Sequence, residues 1–309
     1  MLLRVLFGLS FLVLSFAVPP ARAQELTVAA AADLRPALEE IASRFHAVSG
    51  AEVKLVYGSS GNFYQQIQNG APFDFLFSAN ADYPKKLEAA GLTVPETYYE
   101  YARGKIVLLV PAGSTLDLTR GLSVLVDLAV KKIANADPSH APYGQAAVFA
   151  MRAEKIYDQV SAKLVTGENI SQAASFVLSG AADVGIVALS LGLSAGRQVR
   201  FVEIPASDYP PIQQGCVVLK SSKNQDIAAK FETYLRTEEV KKIFNDLGLR
   251  CQFPPERVKN RAPRSAEYRL TRAKSQEPRA VCYSQPLVRA IRAASVRLAA
   301  PNLLMASDR

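Results

Sequence analysis

A two-domain α/β fold is predicted by three observations. Strand-like and helix-like runs alternate along most of the chain, the strands are short and apolar, and 309 residues fit about two domains. The apolar share of 49% against 21% charged is enough to fill a real core.

The order begins with Met1–Ala23, which reads as a secretory signal rather than structure. Arg4 gives a positive start, Val5 to Val18 is apolar, and Ala21-Arg22-Ala23 is an A-x-A cleavage site. The apolar run is short and ends in Pro19-Pro20, which argues against a membrane span. The mature chain is expected to begin at Gln24 or Glu25, outside the cytoplasm.

Leu26–Ala32 reads as a strand of small residues, and Leu34, Leu38, Ile41 and Phe45 mark one face of the following helix. Asp33 is the natural N-cap, Pro36 fits the first turn, and Ser49-Gly50 is the stop. Val53, Leu55 and Tyr57 alternate with polar residues as a half-buried strand, and Phe63 and Ile67 repeat at helical spacing up to Asn69-Gly70. Between them lies Gly58-Ser59-Ser60-Gly61. Serines at a strand-to-helix junction cap the helix, and the unpaired N–H groups and dipole there also favour an anion.

Phe73–Ala79 is a buried strand, and Asp82-Tyr83-Pro84 opens a helix through Leu87. Ile106–Val110 is a strand entering a second domain, and Lys132–Ala136 is a weaker one leading into the loop Asp137–Gly144. A helix with Ala147, Val148 and Met151 follows. Ile170 opens another that Gly180 ends, and Val184–Ala188 is one more strand. Val199–Ile204 and Ile212–Leu219 flank Pro205–Pro211 and suggest a return to the first domain. Helices marked by Ile227 to Leu235 and by Val240 to Leu247 close the body at Gly248.

Charge separates this body from the tail. Residues 1–250 hold 24 basic and 24 acidic side chains, whereas residues 251–309 hold 12 and 4, the whole of the net +8. The body is neutral, so nucleic acid is not an expected partner. The tail is read as a disordered or frame-shifted end, with a basic amphipathic helix around Leu287–Leu298 as the alternative. Of three cysteines, Cys216 is expected as a buried thiol in a strand, and Cys251 could pair with Cys282. No Cys/His grouping has metal-site spacing.

In open, mostly parallel sheets, ligands bind beyond the carboxyl ends of the strands, where the serine turn and its counterparts lie. Ala30-Ala31-Ala32-Asp33-Leu34, Gly58–Gly61, Gly70–Asp74 with Ser78-Ala79, Asp137–Gly144, Gly185-Ile186-Val187 and Ile243–Gly248 occur in order. With these stretches the chain resembles the periplasmic molybdate-binding proteins of ABC importers over about Glu25–Leu249. The resemblance implies a two-lobe type II periplasmic-binding-protein fold, each lobe a mixed, mostly parallel sheet flanked by helices, with the ligand in the interdomain cleft. The first lobe would comprise 24–105 plus 206–250, the second 106–205, with hinges near Tyr101–Ile106 and Ile204–Pro211.

Carried over by position, the oxyanion contacts fall on Asp33, Ser60, Ala79, Tyr143 and Ile170, with Ala32, Ser59 and Ala188 as secondary candidates. Ser60 would donate its hydroxyl and N–H; Ala79, Tyr143 and Ile170 would donate N–H groups. Molybdenum enters only as the oxyanion, so neither a cofactor nor a metal-ligating side chain is expected. The implied partners are molybdate or tungstate and a membrane permease, and the protein is expected to be a periplasmic monomer. Two positions depart from the family. Asp33 stands where many relatives carry Ser or Asn, so its carboxylate is expected to cap its helix, or else to accept a proton from the ligand. Ala188 stands where some relatives carry Tyr.

Phosphate or sulfate in the same architecture is the nearest rival. A serine hydrolase is the remote one: Asn62 breaks G-x-S-x-G, and neither His46 nor His140 has an evident orienting acid in its motif. His46 is expected at the end of its helix and His140 as an ordering residue of the cleft-side loop. No nucleotide-binding glycine motif is present.

Overall fold

The computed structural model describes residues 25–251. The expectations for the leader, the tail beyond Cys251 and the Cys251–Cys282 pair therefore fall outside the described residues.

The first sheet opens with β1 (Glu25–Ala31), followed by a 3-10 turn Ala32–Leu34 and α1 (Arg35–Ser49). The helix stops where Gly50 adopts φ 71° and returns its N–H to His46 O, a conformation glycine takes without steric cost. Next come β2 (Glu52–Gly58), α2 (Ser60–Gln68), β3 (Phe75–Ser78), α3 (Asp82–Ala89) and β4 (Tyr99–Gly104). The second sheet holds β5 (Ile106–Pro111), β6 (Ile133–Ala136), β7 (Leu164–Gly167), β8 (Val184–Ala188) and β9 (Val199–Glu203). Its helices are α4 (Pro142–Ala153), the short α5 (Tyr157–Val160), α6 (Ile170–Leu178) and α7 (Leu189–Ala195). The chain then returns through β10 (Ile212–Val218) and closes with α8 (Gln225–Leu235) and α9 (Glu238–Asp246).

Two sheets of five strands result, in the orders β2-β1-β3-β10-β4 and β7-β6-β8-β5-β9. Each has a parallel half and one strand running against both its neighbours: β10 between β3 and β4, and β5 between β8 and β9. The strand before Pro205 thus stays in the second sheet and only β10 rejoins the first. These two open, mixed sheets flanked by helices form a two-lobe type II periplasmic-binding-protein fold.

Side-chain alternation explains why both faces of the first sheet are covered. Phe75 and Phe77 point to one side, packing on Phe231 and Tyr101, while Leu76 points to the other with Phe63, Ile67 and Leu87. Burying each such side chain contributes about 1.5–3 kcal/mol. The second lobe buries Ile106–Val110 at its centre against Met151, Val177 and Ile186. Strands β4 and β7 carry no clear alternation and were not anticipated, nor were the short 3-10 turns of Leu118–Val126.

Candidate functional site

The carboxyl ends of the parallel strands of both lobes face one cleft. A tight cavity of about 10 Å³, room for roughly one water-sized sphere, lies there. Ala32, Asp33, Ser59, Ser60 and Ala79 line it from the first lobe, and Tyr143 and Ile170 from the second. All five main candidates, with Ala32 and Ser59, are thus brought together. Ala188, at the end of β8, does not line it. A wider groove of about 200 Å³ adjoins it, sharing Ala79 and Pro142 and edged by Asp82 and Phe149. That groove is the mouth of the cleft; the helix ends converge on the smaller cavity.

Ser60 and Ile170 are the first residues of α2 and α6, and Tyr143 follows Pro142 at the start of α4. First-turn N–H groups have no carbonyl partner within their own helix, and each helix dipole is positive at this end. Three helix starts from two lobes therefore meet at one place. Asn169 caps α6 by accepting from Gln172 N, and proline at the start of α4 has no N–H to leave unpaired. Ala79 N donates to Ser60 Oγ at 2.9 Å, which fixes the hydroxyl inside the cavity. No lysine, arginine or histidine is among the lining residues.

The two serines differ from the expectation of plain capping. Ser59 occupies the N-cap position of α2, but its side chain makes no cap bond. Its hydroxyl pairs instead with His140 Nδ1 at 2.7 Å across the cleft. Gly61 N donates to His140 O at 2.9 Å beside it. The approach is so close that a Cβ on Gly61 would lie 2.8 Å from that oxygen. His140 thus orders its loop, as expected, and also joins the lobes. His46 sits in the last turn of α1, its Nδ1 3.1 Å from Ala51 O, as expected.

The capping expectation for Asp33 is overturned. The 3-10 turn displaces it, leaving Leu34 at the N-cap of α1 without a side-chain bond. The Asp33 side chain is fully buried and enters a polar cluster. Tyr143 Oη and Gln214 Nε2 both donate to its Oδ2 at 2.8 Å. Gln214 Nε2 also approaches Tyr143 Oη at 2.7 Å, and Tyr101 Oη donates to Gln214 Oε1 at 2.8 Å. Burial pushes the Asp33 carboxyl up to about 6, partly offset by the bonds from Gln214, Tyr143 and its own backbone N–H. Burial, with the Asp33 charge next, raises the Tyr143 hydroxyl well above its ordinary range, so it stays a neutral donor.

Tyr143 reaches this cluster because Gly104, at the end of β4, has no side chain. A Cβ there would stand 2.1 Å from Tyr143 Oη. Two further hydroxyls cross the cleft: Ser171 Oγ donates to Ala32 O and Ser190 Oγ to Asp33 O, at 2.8 and 2.7 Å. Gln214, Tyr101, Ser171 and Ser190 were not singled out from sequence. Only Gln214 left a signal, as one of two glutamines in a strand that is otherwise apolar or glycine.

Asp137 Oδ2 stands 3.4 Å from His140 Nε2, an acid that the spacing of the motif did not reveal. Ser59, His140 and Asp137 thus form a serine-histidine-aspartate sequence of contacts. The acid-histidine separation is long for a charge-assisted bond, normally about 2.7–2.9 Å. Asp137 is held instead by Ser139 N at 2.8 Å. Ser59 and Asp137 thus hold the His140 ring from its two nitrogens.

The family model for bacterial extracellular solute-binding proteins matches residues 26–250. The chain belongs to this family. Among relatives, the molybdate-binding protein ModA of Rhodobacter capsulatus is 38% identical over 231 residues, covering 74% of this chain and 89% of that one. The protein of the same name from Azotobacter vinelandii is 36% identical over 234 residues, covering 75% and 92%. The solved periplasmic molybdate-binding protein of Azotobacter vinelandii superposes with a TM-score of 0.69 at 33% identity, covering 74% of this chain and 99% of that chain.

Proposed function

We propose that this solute-binding protein captures molybdate, or tungstate, and delivers it to the permease of an ABC importer. The observation that carries the reading is the convergence of three helix starts and the Ser60 hydroxyl on a cavity without a lining cation. A tetrahedral dianion is stabilised by many converging N–H and O–H donors from neutral groups and needs no lysine or arginine beside it. Relatives named for molybdate binding, matched over nearly their whole length, supply the choice of anion.

In this reading Asp33, Ser60 and Ala79 contact the anion from the first lobe, and Tyr143 and Ile170 from the second. Each lobe contributes donors, so the ligand favours the state in which both are in place. The chain passes between sheets at Gly104–Ile106 and at Glu203–Ile212, and these crossings are the proposed hinges separating 24–105 plus 206–250 from 106–205. The protein works in the periplasm after removal of a cleaved leader, as a monomer, with the anion as cargo and no resident cofactor.

Titration calorimetry with molybdate, tungstate, sulfate and phosphate tests the reading. Molybdate and tungstate are expected to bind tightly and the two smaller anions weakly or not at all. Tight phosphate or sulfate binding with no response to molybdate would replace the cargo, and no response to any of the four would end the proposal.

A further inference from the structure

Among the described residues, Asp33 is the only charged side chain lining the cavity, and its two oxygens are not alike. Oδ2 receives both side-chain donors, Tyr143 Oη and Gln214 Nε2, while Oδ1 is buried with no side-chain donor among the described residues, the carboxyl's one further support being the Asp33 N–H. Tyr101 fixes this asymmetry, because its hydroxyl donates to Gln214 Oε1 and so turns Gln214 Nε2 towards the carboxylate. A buried polar atom left without a partner is costly, and an anionic one next to an incoming dianion is more so.

We propose that oxyanion capture is coupled to uptake of one proton at Asp33, whose Oδ1 then donates a hydrogen bond to a ligand oxygen. The inference rests on the oxyanion reading above. The proton comes from solvent and adds to the carboxylate; no bond of the anion breaks. Site and ligand together then carry two negative charges instead of three.

Apart from its own backbone N–H, the described groups packed around Asp33 offer no charge to offset the carboxylate. From α4 and β4 come the hydroxyls of Tyr143 and Tyr101, both raised by burial well above their ordinary range and hence neutral. From β10 comes the uncharged Gln214, and from α6 and α7 come Ser171 and Ser190, which donate to the carbonyls of Ala32 and Asp33. Arg35, at the start of α1, turns away, with its guanidinium 4.1 Å from the centre of the Tyr57 ring and beside Glu39. Burial has already brought the carboxyl up to about 6, close enough to neutrality for an adjacent dianion to complete its protonation.

The test is calorimetry of molybdate binding in two buffers of different ionisation enthalpy, repeated from pH 5 to pH 9. A carboxyl at about 6 is ionised in about nine molecules of ten at pH 7, so about 0.9 protons per anion are expected there and close to one at pH 8. The apparent Kd should rise about tenfold per pH unit between pH 7 and pH 9. Asp33→Asn should abolish both the uptake and the slope. Tyr143→Phe removes a donor from Oδ2, so the bend of the profile should move to higher pH with uptake retained. Molybdate binding in the wild-type protein with no proton uptake at pH 8 and a flat profile would overturn the inference and leave the oxyanion reading standing. No binding of any tetrahedral anion would overturn both.

Discussion

Gly61→Ala sets folding against closure, and the two effects have opposite signs. Gly61 is the second residue of α2, where alanine favours the helix by up to about 1 kcal/mol. In the joined arrangement of the lobes, however, the new Cβ would lie 2.8–2.9 Å from the O, Cα and Cβ of His140. Two of those atoms are backbone, so the loop itself must retreat. The Gly61 N to His140 O bond is then lost, together with the adjacent Ser59–His140 bond. At about 1 kcal/mol each, the loss is about 2 kcal/mol, or about 30-fold in affinity. Thermal unfolding without ligand should be unchanged or slightly higher, while calorimetry with molybdate should show the weakened Kd. A variant that binds within about threefold of the wild type would refute the claim that these contacts form when the anion is held.

Ser60→Ala removes a hydroxyl that lines the cavity, and calorimetry should show a loss of about 1.5–3 kcal/mol, the worth of a bond to a charged group. Phe77→Ala opens the first-lobe core beside Phe75, Tyr101 and Phe231, and denaturant unfolding should show a loss of about 3–5 kcal/mol. Asp33 should also shape stability against pH in the joined arrangement of the lobes, where Tyr143 and Gln214 reach it. Its carboxyl rises from 3.8 to about 6 on folding, so the native state binds more protons across that window. Its favourable contribution is complete below pH 3.8, falls as pH rises through 6, and leaves a cost of about 3 kcal/mol above it. Asp33→Asn should therefore raise the melting temperature at pH 8 and change it little at pH 4.

The strand-turn-helix rhythm of the first eighty residues was legible because each element there carries a clear period and a stop. Phe75, Leu76 and Phe77 read as a buried strand and are one; Gly50 reads as a helix end and is one. The ordered motifs led to Asp33, Ser60, Ala79, Tyr143 and Ile170, which share a cavity although 137 positions separate the first from the last. Strand β4 was hidden because Tyr99–Gly104 mixes aromatic, charged and small residues, and its partner β10 lies over a hundred positions away. The role of Asp33 was misread for a related reason. Local rules place an aspartate before a helix as its cap, but Gln214 and Tyr143 arrive from distant parts of the chain and bind it more effectively. No periodicity can announce a contact made only when two lobes meet.

Ala79 and Ile170 line this cavity without a polar side chain, so any bond they make to the anion would run through the main chain, and the Ala79 N–H is already given to Ser60 Oγ. A saturation library scored by transport would therefore be nearly blind to them, recording tolerance wherever the replacement keeps the local backbone. It would flag the serines, Asp33 and the two glycines that allow close approach, and would understate the size of the recognition surface. Chemical replacement of single amides by esters, which deletes one N–H without touching a side chain, would recover the missing half.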